Sequence, residues 1–302
     1  MTAEPGKGPP LPGPVIVLAA FGASDPAALK DLFHIKNRVA EACPGAETRL
    51  AFTSRLLRNL WRRRADQADF RAENQGLPGE IYAIRSPLSL LAEIQEAAPR
   101  PILVQSLHVA EGEEYTDLRN MIEALAGLKT IRPDQRPFPA LALAPPALGN
   151  GGPDFLEPAA RALQPLMDQA GRAGAALVLM GHGSRRLALG VYGGLEKRLR
   201  RDYPPTYVGL VERGPEDILA ALAGPRPVFM APLLTVAGEH ARKDLAGPGE
   251  ASWAGRFRAA GHEVEVHPEG LGALDAWADL YVEHLRRGLA ALETDRPGGV
   301  TA

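Results

Sequence analysis

The chain has 302 residues, 45% of them hydrophobic and 23% charged, a composition typical of a globular protein with one large domain or two ordinary ones. Its formal net charge of −2 gives no overall attraction to nucleic acid or to an anionic membrane, and the single cysteine, Cys43, excludes an internal disulfide and a cysteine-rich metal site. No apolar run reaches the ~18 residues that span a bilayer, and residues 1–13 lack the pattern of a secretory signal. We therefore expect a cytoplasmic protein with loose tails at residues 1–13 and 293–302.

Short apolar runs bounded by glycine or proline alternate along the chain with helical patterns. Such runs are typical of strands buried on both faces of a parallel sheet. The predicted strands are residues 14–22, 47–54, 101–109, 138–146, 175–183, 206–212, 227–236 and 262–268. The predicted helices are residues 27–42, 88–98, 115–125, 155–170, 191–201, 215–222 and 274–292. This alternation favours an α/β fold built of βαβ units with right-handed crossovers.

The two halves of the chain resemble each other. The segment PILVQSLHVAEGEEY aligns without a gap with PVFMAPLLTVAGEHA, which pairs Glu114 with His240. A second alignment, VIVLAAFGAS with LVLMGHGSR, pairs Phe21 with His182. We therefore predict two similar α/β halves, each a parallel sheet flanked by helices, with an active-site cleft between them. The predicted limits are residues 14–146 and 147–292.

Three potential metal ligands follow predicted strands of the second half: His182, Glu212 and His240. Open α/β sheets bind ligands at the carboxyl ends of their strands, so the fold can bring these side chains together. Two imidazoles and a carboxylate suit a first-row divalent ion and leave coordination positions open for exchange. Glu114 occupies the corresponding place in the first half and is expected to face them across the cleft.

Each of these assignments has a structural alternative. The GHGS turn that contains His182 can be a simple strand-to-helix connection with Ser184 as the helix N-cap. Glu212 can pair with Arg213 or cap a helix at PEDIL. Beside His240, Glu239 and Asp244 are interpreted as a solvated face, whereas Arg242 is a candidate carboxylate binder. His108 follows a buried strand and is a candidate for facing the cleft.

A basic stretch, RLLRNLWRRR (55–64), raises the hypothesis of nucleic-acid binding, because basic residues interleaved with an aromatic can bind phosphates and stack bases. Asp66 and Asp69 dilute the patch, so an exposed helix face is the preferred interpretation. Arg55, directly after a strand end, is the exception and can meet an anionic ligand. Nucleotide chemistry is not expected, because the chain has no P-loop and no dinucleotide fingerprint. The segment GHGSR lacks the G-x-S-x-G pattern of a nucleophile turn.

Taken together, the motifs carry a family resemblance. They are FGAS (21–24), AFTSR (51–55), VQSLHVAEGEEY (104–115), LMGHGS (179–184), YVGLVE (207–212), MAPLLTVAGEHARKDLAG (230–247), SW (252–253), GLG (270–272) and YVEHL (281–285). On them the chain resembles the anaerobic-type sirohydrochlorin cobaltochelatases, relatives of class II chelatases and ferrochelatases. It departs from the family in FGAS where FGTS is usual, in GLGALD, and in two longer segments, 62–80 and 125–139.

The resemblance implies insertion of Co²⁺ into sirohydrochlorin, with release of two protons and no nucleotide hydrolysis, in anaerobic cobalamin biosynthesis. It implies that His182 and His240 bind the metal and accept protons, that Glu212 completes the metal site, and that Glu114 is the acidic residue opposite. Sirohydrochlorin is a polycarboxylate, so arginines at the rim are expected to bind it. The candidate substrate-binding residues are Arg55, His108, Ser184, Arg185 and Arg242.

Three alternatives remain open at this point. Fe²⁺ or Ni²⁺ can replace Co²⁺, because ligands of this type bind all three ions. A carrier that binds the tetrapyrrole or the metal without inserting it needs the same residues. A nucleic-acid-binding module is disfavoured, as is any association with a membrane. A homo-oligomer is expected only by analogy.

Overall fold

The computed structural model describes residues 13–132, 135–183 and 189–294, and shows two four-stranded parallel sheets with the same strand order. The first sheet has the order β2-β1-β3-β4 and the second the order β6-β5-β7-β8. The strands are β1 Val15–Ala20, β2 Glu47–Phe52, β3 Ile102–Ser106, β4 Leu141–Ala144, β5 Ala176–Gly181, β6 Thr206–Leu210, β7 Pro227–Leu233 and β8 Glu263–Val266. The predicted α/β fold with two similar halves is confirmed.

Eleven helices of the described residues flank these sheets. They are α1 Pro26–Ala42, α2 Arg55–Ala65, α3 Ala68–Glu73, α4 Pro87–Ala97, α5 Glu113–Ala126, α6 Pro153–Ala162, α7 Gln164–Arg172, α8 Leu189–Asp202, α9 Glu216–Ala221, α10 Trp253–Ala259 and α11 Asp275–Thr294. A short π-helix covers Ala241–Leu245, and a 3₁₀ turn covers Val211–Arg213. No helix in the described part of the chain is long and apolar enough to cross a membrane.

The central strands of both sheets, β1, β3, β5 and β7, are almost entirely buried, whereas the edge strands β2 and β8 contain charged residues and are partly exposed. In β1, Val15, Val17 and Ala19 pack on one face, whereas Ile16 and Leu18 belong to a core cluster on the other. That second cluster also contains residues of β5 and is continuous between the two halves. A strand buried on both faces reads as a continuous apolar run rather than an alternating one, which is the pattern that the sequence shows.

The last helix of the chain crosses between the halves. Helix α11 packs against β3, β4 and α1 of the first half, although it follows β8 of the second. Helix α7, which follows the first sheet in the chain, packs against β5 and β7 of the second. The first sheet is therefore covered partly by α11, which follows the second sheet in the chain. The second sheet is covered partly by α7, which follows the first sheet in the chain. The predicted limit between residues 146 and 147 stays a prediction.

The structure differs from the predicted helices at two places. The predicted helix over 155–170 is two helices, separated at Leu163. Pro165 has no N–H and its ring would clash with the carbonyl of residue 161, so one continuous helix cannot pass through it. Helices α3 and α10 were not predicted, because runs as short as six or seven residues carry little periodicity.

Helix α2 exists, but it is not simply an exposed face. Its Trp61 is fully buried and donates its indole N–H to the carbonyl of Ala23 at 2.7 Å. Arg58 donates to the carbonyls of Phe52 and Thr53, and Arg64 to that of Ser24. Because Trp61 is buried, its ring is not available to stack on bases. Two of the arginines bind backbone carbonyls of the same half.

Candidate active site

A cavity of about 270 Å³ lies between the carboxyl ends of strands from both sheets. The first half contributes Phe21 and Gly22 after β1, together with His108 and Glu114 beyond β3. The second half contributes His182 after β5 and the segment that contains His240 after β7. This is the edge at which parallel sheets bind ligands, and the cavity occupies the position of the predicted cleft.

The two histidines of the second half lie side by side in this cavity. The ring centroids of His182 and His240 are 4.9 Å apart, and the ring planes cross at 80°. His182 follows the last residue of β5, and the next residue, Gly183, has a φ of 81°, a left-handed conformation that favours glycine. This turn leaves the imidazole exposed at the strand end.

Both imidazoles have their Nδ1 atoms engaged with oxygen acceptors. Nδ1 of His240 lies 2.5 Å from a carboxylate oxygen of Asp244, and Nδ1 of His182 lies 3.0 Å from the carbonyl oxygen of Gly183. These contacts fit the tautomer with the proton on Nδ1, which leaves the Nε2 lone pair of each ring available. A histidine oriented in this way by a carboxylate or a carbonyl is the usual arrangement at a metal ligand.

Asp244 is a candidate functional residue that the sequence interpretation missed. It was assigned to a solvated face, but it contacts His240 from one helical turn away. The spacing of four residues on a helical segment was the available signal, since residues at i and i+4 share a face. Glu239, by contrast, forms an exposed ion pair with Lys243, as expected for a solvated face.

His108 and Glu114 face each other on the first-half side of the cavity. Nδ1 of His108 lies 2.8 Å from the hydroxyl of Ser106, and its Nε2, 3.7 Å from a Glu114 oxygen, has no hydrogen-bond partner. Burial lowers the pKa of His108 to about 4, with a further contribution from His182, so its imidazole is neutral at pH 7. Burial also raises the pKa of Glu114, although His182 opposes this.

Glu212 is not assembled with the histidines. It lies exposed in the 3₁₀ turn after β6, the neighbour of β5 in the sheet, and it does not line the cavity. Within the residues that the structure describes, no group of three His, Cys, Asp or Glu side chains is close enough to hold a metal ion. The role of Glu212 as third ligand therefore stays a prediction.

The candidate substrate-binding residues are placed unevenly. Arg55 is exposed at the first position of α2, beyond the cavity lining. Arg242 forms an ion pair with Asp25, the N-cap of α1. Ser184 and Arg185 lie outside the described residues. His108 lines the cavity.

Phe21 is an aromatic wall residue that the sequence analysis noted only as the partner of His182 in the alignment. It lines the cavity and is 47% exposed, which is high for a phenylalanine next to a buried strand. An exposed aromatic ring on the first-half wall faces the two imidazoles on the second. The first-half wall therefore combines an aromatic ring with His108 and Glu114, and the second-half wall carries the two imidazoles.

Comparisons with known proteins cover nearly the whole chain. A family model described as "Cobalt chelatase (CbiK)" matches residues 15–290. The protein named sirohydrochlorin cobaltochelatase CbiKC of Nitratidesulfovibrio vulgaris is 30% identical over 282 residues, which cover 92% of this chain and 91% of that protein. The sirohydrochlorin cobaltochelatase of Salmonella typhimurium is 29% identical over 91% of this chain and 96% of its own length.

Solved structures agree with these relatives at the level of the fold. The sirohydrochlorin chelatase SirB from Bacillus subtilis subspecies spizizenii, described in complex with cobalt, superposes with a TM-score of 0.55 at 13% identity. That match covers 94% of this chain and 98% of SirB. At such low identity the likeness supports the architecture of two similar halves and nothing finer.

Proposed function

The chain belongs to the CbiK family of cobalt chelatases, and from this membership we propose that it inserts Co²⁺ into sirohydrochlorin with release of two protons. The observation that carries the proposal is the pair of imidazoles at the cavity, His182 and His240, each with its Nε2 lone pair left available. Both curated relatives are named for this reaction, and they match more than nine-tenths of the chain.

The metal ion enters as a substrate. Nε2 of His182 and Nε2 of His240 replace two of its waters. Glu212, in the turn after the next strand of the same sheet, lies outside the cavity lining, and we propose that it moves toward the histidines to complete the set of protein ligands when the ion binds. Asp244 holds the Nδ1 proton of His240, which keeps Nε2 directed at the ion and increases its basicity. Three protein ligands leave the remaining positions open for the nitrogens of the macrocycle.

Proton removal is the second task of the site. Two pyrrole N–H protons must leave as the ion enters, and imidazole groups are suited to accept them. His182 and His240 can do so once the metal has moved from their Nε2 atoms to the ring. Glu114, across the cavity, attracts the protonated imidazoles, an interaction that already opposes the effect of burial on its pKa.

The macrocycle is held by its flat face and by its acidic edge. Phe21 and the apolar residues near it, Leu57 and Leu107, line the cavity and can contact the ring face. The carboxylates of sirohydrochlorin extend to the rim, where Arg55 and Arg185 are proposed to bind them by charge-assisted hydrogen bonds. Arg242 joins them only if it exchanges its partner Asp25 for the substrate.

The proposed activity is tested by anaerobic absorbance of the purified protein with sirohydrochlorin and Co²⁺, and then with Fe²⁺ and Ni²⁺. Multiple turnovers above the reaction without enzyme are expected with Co²⁺, and the values of kcat/KM order the three metals. A spectral change that stops at one equivalent would identify a carrier instead.

Replacing the two histidines tests the site within this reaction. His182→Ala and His240→Ala each remove a ligand and a proton acceptor, so kcat/KM is expected to fall by at least about a hundredfold. His262→Asn is the matched control, because His262 does not line the cavity. It lies directly before β8, an edge strand of the same sheet, where it accepts a hydrogen bond from the Arg226 N–H. Normal turnover in both alanine variants would contradict the assignment.

A further inference from the structure

The segment that contains His240 belongs to the second half of the chain but is fastened to the first half. We call residues 235–245 the His240 segment. At its start, the buried hydroxyl of Thr235 donates to the carbonyl of Leu107, next to His108, at 2.6 Å. The hydroxyl of Tyr281, from α11, lies 3.1 Å from the same Thr235 oxygen and 3.2 Å from the Leu107 carbonyl. The loops that follow β3 and β7 are thus joined.

A buried carboxylate makes the next contact along the segment. Asp31 lies on α1 in the first half and is only 6% exposed. Its Oδ2 accepts a hydrogen bond of 3.1 Å from the backbone N–H of Ala237, three residues before His240, and the carboxylate also accepts from the N–H of Gly270. A buried aspartate is uncommon unless it is paired, and here its partners are two backbone N–H groups of the other half.

The glycines at 270 and 272 show how closely the elements approach around Asp31. A Cβ on Gly270 would clash with Oδ2 of Asp31 and would lie 2.6 Å from the nitrogen of Ala237. A Cβ on Gly272 would lie 2.7 Å from the Thr235 carbonyl oxygen and 3.0 Å from Cβ of Asp31. The GLG motif therefore has glycine at its first and third positions, because the His240 segment, α1 and residues 270–272 pack here without space for a Cβ at either position.

A second contact with α1 follows His240. Arg242 pairs with Asp25, whose side chain also caps the N-terminus of α1 by accepting from the N–H of Ala27 at 2.9 Å. The segment is thus held to one helix of the first half on both sides of His240, by Asp31 before it and by Asp25 after it. The position of the imidazole relative to the first-half wall depends on these contacts.

We propose that Asp31 is a positioning residue that holds the His240 segment against the first half, so that Nε2 of His240 faces the opposite wall at a fixed distance. This inference rests on the proposed function for the role of His240. A carboxylate that accepts two N–H hydrogen bonds holds them more strongly than a neutral acceptor does. An error of about 1 Å in the position of a reacting group costs up to about a hundredfold in rate, so a rigid anchor near the ligand has a direct effect on the reaction.

The test measures Co²⁺ affinity of the full-length protein alone, by absorbance titration, beside steady-state kinetics with sirohydrochlorin. Asp31→Ala removes the acceptor and is expected to raise the Kd for Co²⁺ about tenfold, the range for residues that orient metal ligands. It lowers kcat, while the KM for sirohydrochlorin stays the same, because Phe21 and the first-half wall are unchanged. Asp31→Asn keeps the side-chain volume and one acceptor oxygen, and is expected to show the same pattern to a smaller degree.

Asp279→Asn is the matched control. Asp279 on α11 forms an ion pair of 2.6 Å with Arg38, which lies on α1 as Asp31 does. This pair does not contact the His240 segment. The control is expected to keep the Kd and kcat of the wild type. Circular dichroism shows which variants are folded, and if Asp31→Ala is not, Asp31→Asn decides.

Two results would overturn the positioning role of Asp31. One is a folded Asp31 variant with the Co²⁺ affinity of the wild type. The other is a loss of affinity in Asp279→Asn as large as that in the Asp31 variants, because this would indicate a general effect of weakening α1. A wild-type protein without turnover would contradict the proposed function, but the comparison of Co²⁺ affinities would still decide the role of Asp31.

Discussion

Asp244 acts on the chemistry of the site through His240. Its carboxylate lies 2.5 Å from Nδ1 of the ring, so it selects the tautomer and the orientation that leave Nε2 available. Both side chains are about half exposed, so the contact contributes little to the free energy of unfolding. Its main effect is to orient the imidazole of His240.

Replacing Asp244 is expected to weaken metal capture. Asp244→Ala frees Nδ1 and allows the other tautomer, so the Kd for Co²⁺ is expected to rise about tenfold or more. Asp244→Asn retains an acceptor oxygen and is expected to remain closer to the wild type. Titration with Co²⁺ in the absence of sirohydrochlorin checks this, and equal affinity in the alanine variant would contradict it.

The raised pKa of Asp31 predicts that the free energy of unfolding depends on pH. Burial raises its pKa from 3.8 to about 6, although the N–H groups of Ala237 and Gly270 oppose the shift; Glu269 raises the pKa further and His34 lowers it. A raised pKa means that the folded protein binds this proton more tightly than the unfolded chain. The resulting stabilisation, about 3 kcal/mol at most, is present below pH ~4 and is lost as the pH rises through about 6.

Asp31→Asn cannot titrate, so its free energy of unfolding is expected to improve relative to the wild type between about pH 4 and about pH 6. Urea denaturation at several pH values measures the difference. Because the charge of His34 acts on the pKa of Asp31, the comparison is repeated with His34→Gln in both proteins. A difference that does not change with pH would show that Asp31 has an ordinary pKa. If Asp31→Asn binds Co²⁺ more weakly while its free energy of unfolding improves relative to the wild type, the loss of affinity is not caused by a less stable fold.

At the scale of elements, the strands were predictable and some of the helices were not. All eight strands lie within the predicted segments, and the signal is clearest for the central strands β1, β5 and β7, whose burial on both faces favours a continuous apolar run. The break between α6 and α7 at Leu163 follows from Pro165, a signal that the apolar periodicity of residues 155–170 concealed. The partners of α11 could not be predicted, because an amphipathic pattern shows that a face is buried and not which sheet covers it.

Helix α11 gives a prediction about where the fold is weakest. Truncation before Asp275 uncovers β3, β4 and α1, and removes Trp277 and Tyr281, which are fully buried. Hydrogen exchange is therefore expected to rise most in β3 and β4 of the first half, even though the deletion is made at the end of the second. Greater loss of protection in β7 and β8 than in β3 and β4 would contradict this packing scheme. A variant that ends after Leu292 is the control.

At the scale of the whole molecule, the alignment of the halves is borne out by two sheets with the same strand order. The ends of β1 and β5 are equivalent, and one leads to Phe21 and the other to His182. The same holds for β3 and β7, which lead to the loops of Glu114 and His240. The sequence could therefore place these groups around one cleft and identify the family. It could not show that Glu212 lies apart from the histidines, because this depends on the conformation of the turn after β6. Nor could it show that Arg242 pairs with Asp25, because this is a side-chain contact between the halves.

The crossing of α11 has a consequence for the order in which the molecule is made. A ribosome completes all four strands of the first sheet long before residues 275–294 leave the exit tunnel. Until then the face that α11 covers has no partner, and the N-terminal half is a nascent domain with exposed apolar surface. The first half is thus translated first and covered last, and during that interval its exposed apolar surface favours aggregation.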